Sequence, residues 1–260
     1  EQRRRERPVV LLDTGNFCPE KRAKNQDVQD RFFFEAMNLL RYDALAAGEN
    51  EILYGRKRLI ETVRHNGLEL VSANIIEKKS GKLLAAPYAI SEIGGTNILL
   101  MRIGALRVGI FGVVQPSLVY SADRLTRDYY EIEDPLTAAL RASSELREKG
   151  CDIVIALSHQ VWDKSQHLAQ KVPGIDLVVC SHRVEIKAHS EMHGGTMLVG
   201  CGDKKTSFTE IRVDRIDGRW EMTAVDRGDE LLELEDHPRF SDIEREDQSL
   251  VRPKPIKERP

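Results

Sequence analysis

CDIVIALSHQVWDKSQHLAQKVPGIDLVVCSH (residues 151–182) is the stretch that decides the fold class. Two apolar runs of strand length, 151–158 and 175–180, flank a segment at 163–172 with helical spacing. A strand, a helix and a second strand in that order imply a parallel pair. Each run stops at a polar, ligand-capable side chain, His159 in the first and His182 in the second. The carboxyl ends of strands are where α/β folds collect their chemistry. Two upstream runs end in the same way: VVLLDTGNF (9–17) reaches Asn16, and YDALAAGENE (42–51) reaches Glu49.

Working outward, Asp27 to Arg41 reads as a helix, with Val28, Phe32, Phe33, Met37 and Leu40 at helical spacing. Leu53 to His65 reads as a second amphipathic helix, stopped by Asn66-Gly67. Leu68–Ile75 is the next strand. Pro87–Ile93, Asn97–Ile103 and Leu106–Val114 read as a meander turned by Gly94-Gly95 and Gly104-Ala105. Residues 116–133 read as an irregular surface segment. Asp134-Pro135 starts a helix that runs to Gly150. Thr196–Gly200, Ser207–Arg215 and Arg219–Asp226 read as consecutive antiparallel strands, the last two turned by Asp217-Gly218.

Strands of both senses with helices between them imply two mixed sheets packed face to face with helices outside. One domain over residues 1–232 is expected. Residues 233–260 turn charged and end in VRPKPIKERP, which reads as an extended tail or linker.

The chain has 260 residues, enough to bury a sizeable core. Its 39 basic and 42 acidic side chains leave a net charge of −3, which argues against a nucleic-acid surface as its main business. No apolar run reaches the roughly 18–20 residues of a membrane span. The opening EQRRRER reads as the end of a basic helix with residues removed upstream, so no signal peptide can be sought in it. Four cysteines (Cys18, Cys151, Cys180, Cys201) are too few and too scattered for a disulfide framework.

The order of these blocks resembles the 5′-nucleotidase branch of the calcineurin-like metallophosphoesterases. That family carries an early Asp-x-His, a Gly-Asp, a Gly-Asn-His-Glu, a lone His after a strand, and a Gly-His-x-His. LLDTGNF (11–17) is similar to the second block, with Asn16 in place of the metal-bridging Asp. In GENE (48–51), Gly48 and Glu51 match, Glu49 replaces the ligand Asn, and Asn50 replaces the catalytic His. IALSH (155–159) keeps its ligand at His159. DLVVCSHRV (176–184) keeps His182 and has Val184 where the last ligand His belongs. VSANI (71–75) and PYAI (87–90) match family strands. The resemblance covers roughly residues 8–215 and implies a four-layer αββα sandwich whose first strand block is missing.

What the resemblance implies for chemistry is divided. Two divalent metals about 3.5–4 Å apart need a bridging carboxylate, and Asn16 is neutral, so a dinuclear centre is not expected. Asn16, Glu49, His159 and His182 would suit one Zn, Mn or Fe(II) ion. Asn50 cannot act as a general acid near neutral pH. The chain is therefore nominally a metal-dependent phosphate-ester hydrolase, weak or inactive by the family mechanism. The alternative is a degenerate member kept as a binding or assembly module, within a larger exported redox protein as a further variant. The implied ligand is a nucleotide or another phosphate ester, with a protein partner or further domain reached through the tail. A periplasmic or extracellular setting is implied by the resemblance alone.

The residues also admit plainer readings. Asn16 after Gly15 suits a turn, Glu49 to Glu51 a solvated loop and helix start, and His159 and His182 strand-end caps. The cysteines read as small buried apolar residues or as a thiolate or redox site. His189 and His193 read as a surface loop or as replacement ligands. Trp162 either covers the following helix or stacks on a base. Phe32, Phe33 and Phe34 read as helix core with one edge contact, and the basic opening as a solvated helix face.

Overall fold

The computed structural model describes residues 8–18, 26–98, 101–122, 126–181, 189–200, 209–217 and 219–227. In chain order the elements begin with β1 (Leu12–Asp13), α1 (Gln26–Leu40), β2 (Ala44–Ala46), α2 (Glu49–Tyr54), α3 (Arg56–His65) and β3 (Leu70–Val71). Next come β4 (Ile75–Glu77), β5 (Lys82–Leu83), β6 (Tyr88–Ile98), β7 (Met101–Val114), α4 (Pro116–Ala122), α5 (Thr126–Tyr129) and β8 (Tyr130–Ile132). Then follow α6 (Pro135–Glu148), β9 (Ile153–His159), α7 (Trp162–Lys171) and β10 (Leu177–Cys180). The last are β11 (His189–His193), β12 (Thr196–Gly200), β13 (Thr209–Ile216) and β14 (Arg219–Asp226).

The main sheet has the order β11-β12-β10-β9-β7-β6. Its centre is parallel: β7 to β9, β9 to β10 and β10 to β12. A second, parallel sheet has the order β1-β2-β3. The expected α/β class with two sheets and flanking helices is what forms, the larger sheet mixed and the smaller one parallel, and the buried apolar residues show its layers. Ala44, Ala46, Val71, Ile110, Ile155, Leu157, Val179 and Val199 fill the space between the sheets, with Ile211, Trp220 and Met222 of the β13–β14 hairpin packed on them.

Phe34, Leu45, Leu59 and Leu70 form the core under α1, α2 and α3. Phe111, Ala139, Leu146, Val154, Leu168 and Val178 form the core under α6 and α7. Alternation along a strand sorts these faces: Val154 and Ala156 face the helices, whereas Ile153, Ile155 and Leu157 face the other sheet. Gly112 sets how closely the sheets approach, since a Cβ there would lie 2.9 Å from Ala46 Cβ and 3.0 Å from the Val71 carbonyl oxygen.

Several sequence expectations are corrected. The meander over 87–114 is one long hairpin, β6 against β7. Gly94, Gly95 and Gly104 have positive φ but lie within paired strands, because a left-handed glycine can bend a strand without ending it. The single helix over 53–65 is two, divided at Gly55 (φ 93), and the first starts earlier, at Glu49. Residues 116–122 and 126–129 are helical rather than irregular.

A further correction concerns β12, which joins the main sheet, parallel to β10 and antiparallel to β11, instead of pairing with β13. His189 and His193 lie in β11 rather than in a loop, and both imidazoles contact Glu191, at 2.9 and 3.1 Å. Phe33 is exposed and Phe34 buried. The basic opening, Cys201 and the tail at 233–260 lie outside the described residues.

Candidate active site at the strand ends

β1 and β2 run parallel, with Leu12 beside Ala44 and Asp13 beside Leu45, so the loops after their carboxyl ends meet. Gly15 (φ 106) turns the first loop. A Cβ on it would lie 2.8 Å from Gly48 N and 3.0 Å from His159 Nδ1. Only glycine combines that left-handed φ with so close an approach. Gly48 is equally confined: its Cβ would lie 2.5 Å from Asn16 Oδ1 and 3.0 Å from His159 Cε1. These two glycines bring Asn16, at φ 64, and Glu49 together over the end of β9.

Three of the four side chains expected to converge do so. Asn16 Nδ2 donates to Glu49 Oε1 at 2.9 Å, and His159 Nε2 pairs with Glu49 Oε2 at 2.7 Å. His182 lies outside the described residues. His159 Nδ1 is 2.9 Å from the Thr14 carbonyl oxygen and 3.3 Å from Ser181 Oγ. A carbonyl can only accept, so Nδ1 carries a proton; the carboxylate facing Nε2 then favours a second. His159 Nε2 thus faces a carboxylate that favours the protonated ring.

The electrostatics agree. Burial alone would lower the His159 pKa, but the hydrogen bond and charge of Glu49, with the Thr14 carbonyl, raise it. Burial alone would raise Glu49, but His159 and the Asn16 amide hold its carboxyl down at about 2.

Asn50 stands where the family places its catalytic His, and it is a buried structural amide. Its Nδ2 donates to the Cys18 carbonyl at 3.1 Å, and its backbone N–H donates to Asn16 Oδ1 at 3.1 Å. The acidic run 49–51 does start a helix, but only Glu49 keeps partial exposure; Glu51 is 0% exposed. Glu51 Oε2 accepts from Asn16 N (2.8 Å) and Gly48 N (2.7 Å), and Oε1 from Cys18 N (2.7 Å). Burial raises its pKa against the lowering effect of these three amides.

The residue reading placed Glu51 only as loop or helix start. The available signal was a glutamate three residues after a glycine N-cap, the acidic half of a capping box. Asp13 was likewise not singled out; burial lifts its carboxyl to about 6, and its Oδ1 accepts from Gly15 N.

Among the described residues no group of three His, Cys, Asp or Glu is placed to hold a metal. Cys18, Cys151 and Cys180 are buried, with Cys180 Sγ donating to the Gln160 carbonyl at 3.2 Å, and burial pushes Cys18 and Cys151 away from the thiolate form. Trp162 packs on the helix-side core, with its ring 5.3 Å from that of His189.

No family model matches the chain. Over 235 residues it is 24% identical to the 2′,3′-cyclic-nucleotide 2′-phosphodiesterase/3′-nucleotidase of Salmonella typhimurium, covering 80% of this chain and 35% of that protein. Over 190 residues it is 31% identical to the 5′-nucleotidase of Homo sapiens, covering 69% of this chain and 30% of that protein. The chain thus spans about a third of the length of these curated relatives. Among solved structures, the calcineurin-like phosphoesterase YfkN of Bacillus subtilis superimposes with a TM-score of 0.74 at 19% identity, over 96% of this chain and 86% of that one. The sulfate thiohydrolase SoxB of Thermus thermophilus gives 0.76 at 18% identity, over 93% of this chain and 43% of that one. The chain is a homologue of the 5′-nucleotidases and 2′,3′-cyclic-nucleotide phosphodiesterases, built on the calcineurin-like phosphoesterase fold.

Proposed function

We propose that this chain is a divergent phosphoesterase-like protein that binds a nucleotide or another phosphate ester and hydrolyses it weakly or not at all by the family's two-metal route. The observation that carries this reading is the division of the Glu49 carboxylate between Asn16 Nδ2 and His159 Nε2. Side chains of ligand type face one another, and the neutral Asn16 turns its NH₂ toward Glu49. A neutral amide is a poor bridge for two cations, so the residues do not fit a dinuclear centre. Asn50 adds a second reason: an amide bonded to a backbone carbonyl has no proton to give a leaving oxygen.

A second reading, a mononuclear hydrolase, is favoured by one detail. His159 Nδ1 is fixed by the Thr14 carbonyl, the outer support that metal-bound imidazoles commonly have, which directs Nε2 at Glu49 Oε2. Glu49, His159, Asn16 and His182 would then hold one Zn, Mn or Fe ion, which would polarise a phosphate oxygen. Likeness to a snake venom 5′-nucleotidase, 30% identical over 183 residues, supports an extracellular setting.

Metal analysis of the purified protein, together with hydrolysis assays on nucleotides and a generic ester in Mn²⁺ and Zn²⁺, separates the two readings. The binding reading expects nucleotide affinity by calorimetry with turnover at background. Stoichiometric metal and a turnover abolished by His159→Ala would establish the mononuclear enzyme instead.

A further inference from the structure

Glu51 lies at the end of α2's first turn, fully buried, yet its carboxylate serves residues from two different loops. Asn16 N and Cys18 N come from the loop after β1, and Gly48 N from the loop after β2; all three lie within 2.7–2.8 Å of its oxygens. Three converging backbone amides make a nest of the kind proteins use to hold anions. Here the anion is part of the chain.

The consequences reach the site through short links. Asn16 has a left-handed backbone (φ 64), a conformation of higher energy for a side chain other than glycine. Its N–H is held by Glu51 while its side chain bridges Glu49 Oε1 and Asn50 N. Gly48, held by the same oxygen, starts the helix that carries Glu49.

We propose that Glu51 is the positioning residue of the site: a tethered carboxylate around which the 15–18 loop and Gly48 are organised, so that Asn16 and Glu49 meet His159. The inference does not depend on whether the site hydrolyses a phosphate ester, because its readout is the geometry of the loops.

Chemical rescue provides the test. In Glu51→Ala the three amides lose their acceptor and enclose a space of carboxylate size. NMR of this variant is expected to show displaced amide signals for Asn16, Cys18 and Gly48, a displaced Asn16 side-chain NH₂, and loss of the low-field His159 Nε2 proton. The signals of Asn74 are expected to stay in place. Formate is expected to return the displaced signals toward their wild-type positions, with a Kd no tighter than about 0.5 mM, the ceiling for three non-hydrogen atoms. Formamide, a neutral isostere, is expected not to do so.

Loop signals unmoved in Glu51→Ala, or rescue by formamide as effective as by formate, would overturn the proposal. Should Glu51→Ala fail to fold, recovery of the native spectrum on adding formate supports the role. An Ala variant that stays unfolded in formate, beside a Glu51→Gln variant with native loop signals, overturns it.

Discussion

Asn74 shows how much one buried side chain can hold. Its Nδ2 donates to the carbonyls of Val114 (2.8 Å) and Glu133 (3.1 Å), and its Oδ1 accepts from Val114 N at 3.0 Å. It therefore ties β7 at its carboxyl end to the start of α6. Asn74→Ala leaves these backbone groups without partners, and a loss of about 2–3 kcal/mol is expected in urea melts. Gly48→Ala acts differently, since its Cβ would press on Asn16 Oδ1 and His159 Cε1. It is expected to separate Glu49 from His159, and loss of the low-field His159 ring proton would report that. Both effects belong to single residues, and neither depends on the identity of a ligand.

At the scale of elements, the packing of sheets and helices sets the tolerances. Gly112 lies near the carboxyl end of β7, against Ala46 and Val71 of the other sheet. The methyl added by Gly112→Ala meets Ala46 and the Val71 carbonyl, and overpacking of this kind typically costs about 1–3 kcal/mol. A lowered thermal midpoint with an unchanged urea m-value is expected. Helix α6 depends on its cap as well as its buried face. Asp134 Oδ2 accepts from Thr137 N at 2.9 Å and from Thr137 Oγ1 at 3.0 Å, with Pro135 in the first turn. Asp134→Ala is expected to cost about 1 kcal/mol, measured by denaturant unfolding.

For the whole molecule, acid–base linkage around the site gives a signed expectation. Glu49 has a folded pKa below its free value of 4.5, so its contribution is present above that value and is lost as pH falls toward about 2. His159 is raised, so its contribution is complete below its free value of 6.5 and is lost as pH rises through the folded value. Asp13 opposes them: its folded pKa of about 6 stands above 3.8, so it removes stability as pH rises between those values. Thermal melts across pH 4 to 8 are expected to show Asp13→Asn abolishing part of the decline between pH 4 and 6. An unchanged pH profile in that variant would contradict this account.

By itself the sequence determined the class of fold and the chain positions of the candidate site. Apolar runs of strand length that alternate with helical spacing carry that information locally, because burial on both faces demands it. Asn16, Glu49 and His159 were legible as strand-end residues for the same reason. Tertiary structure decided the rest. Whether β12 pairs with β10 or with β13 depends on neighbours distant in sequence, and so does the bending of β6 and β7 at glycines that read locally as turns. Apart from the local Gly48 bond, the hydrogen bonds of Glu51 and Asn50 also lay beyond local reading, since those partners sit more than thirty residues away at Asn16 and Cys18. Side-chain type fixes what a residue can donate or accept, but only the folded chain fixes which group stands opposite.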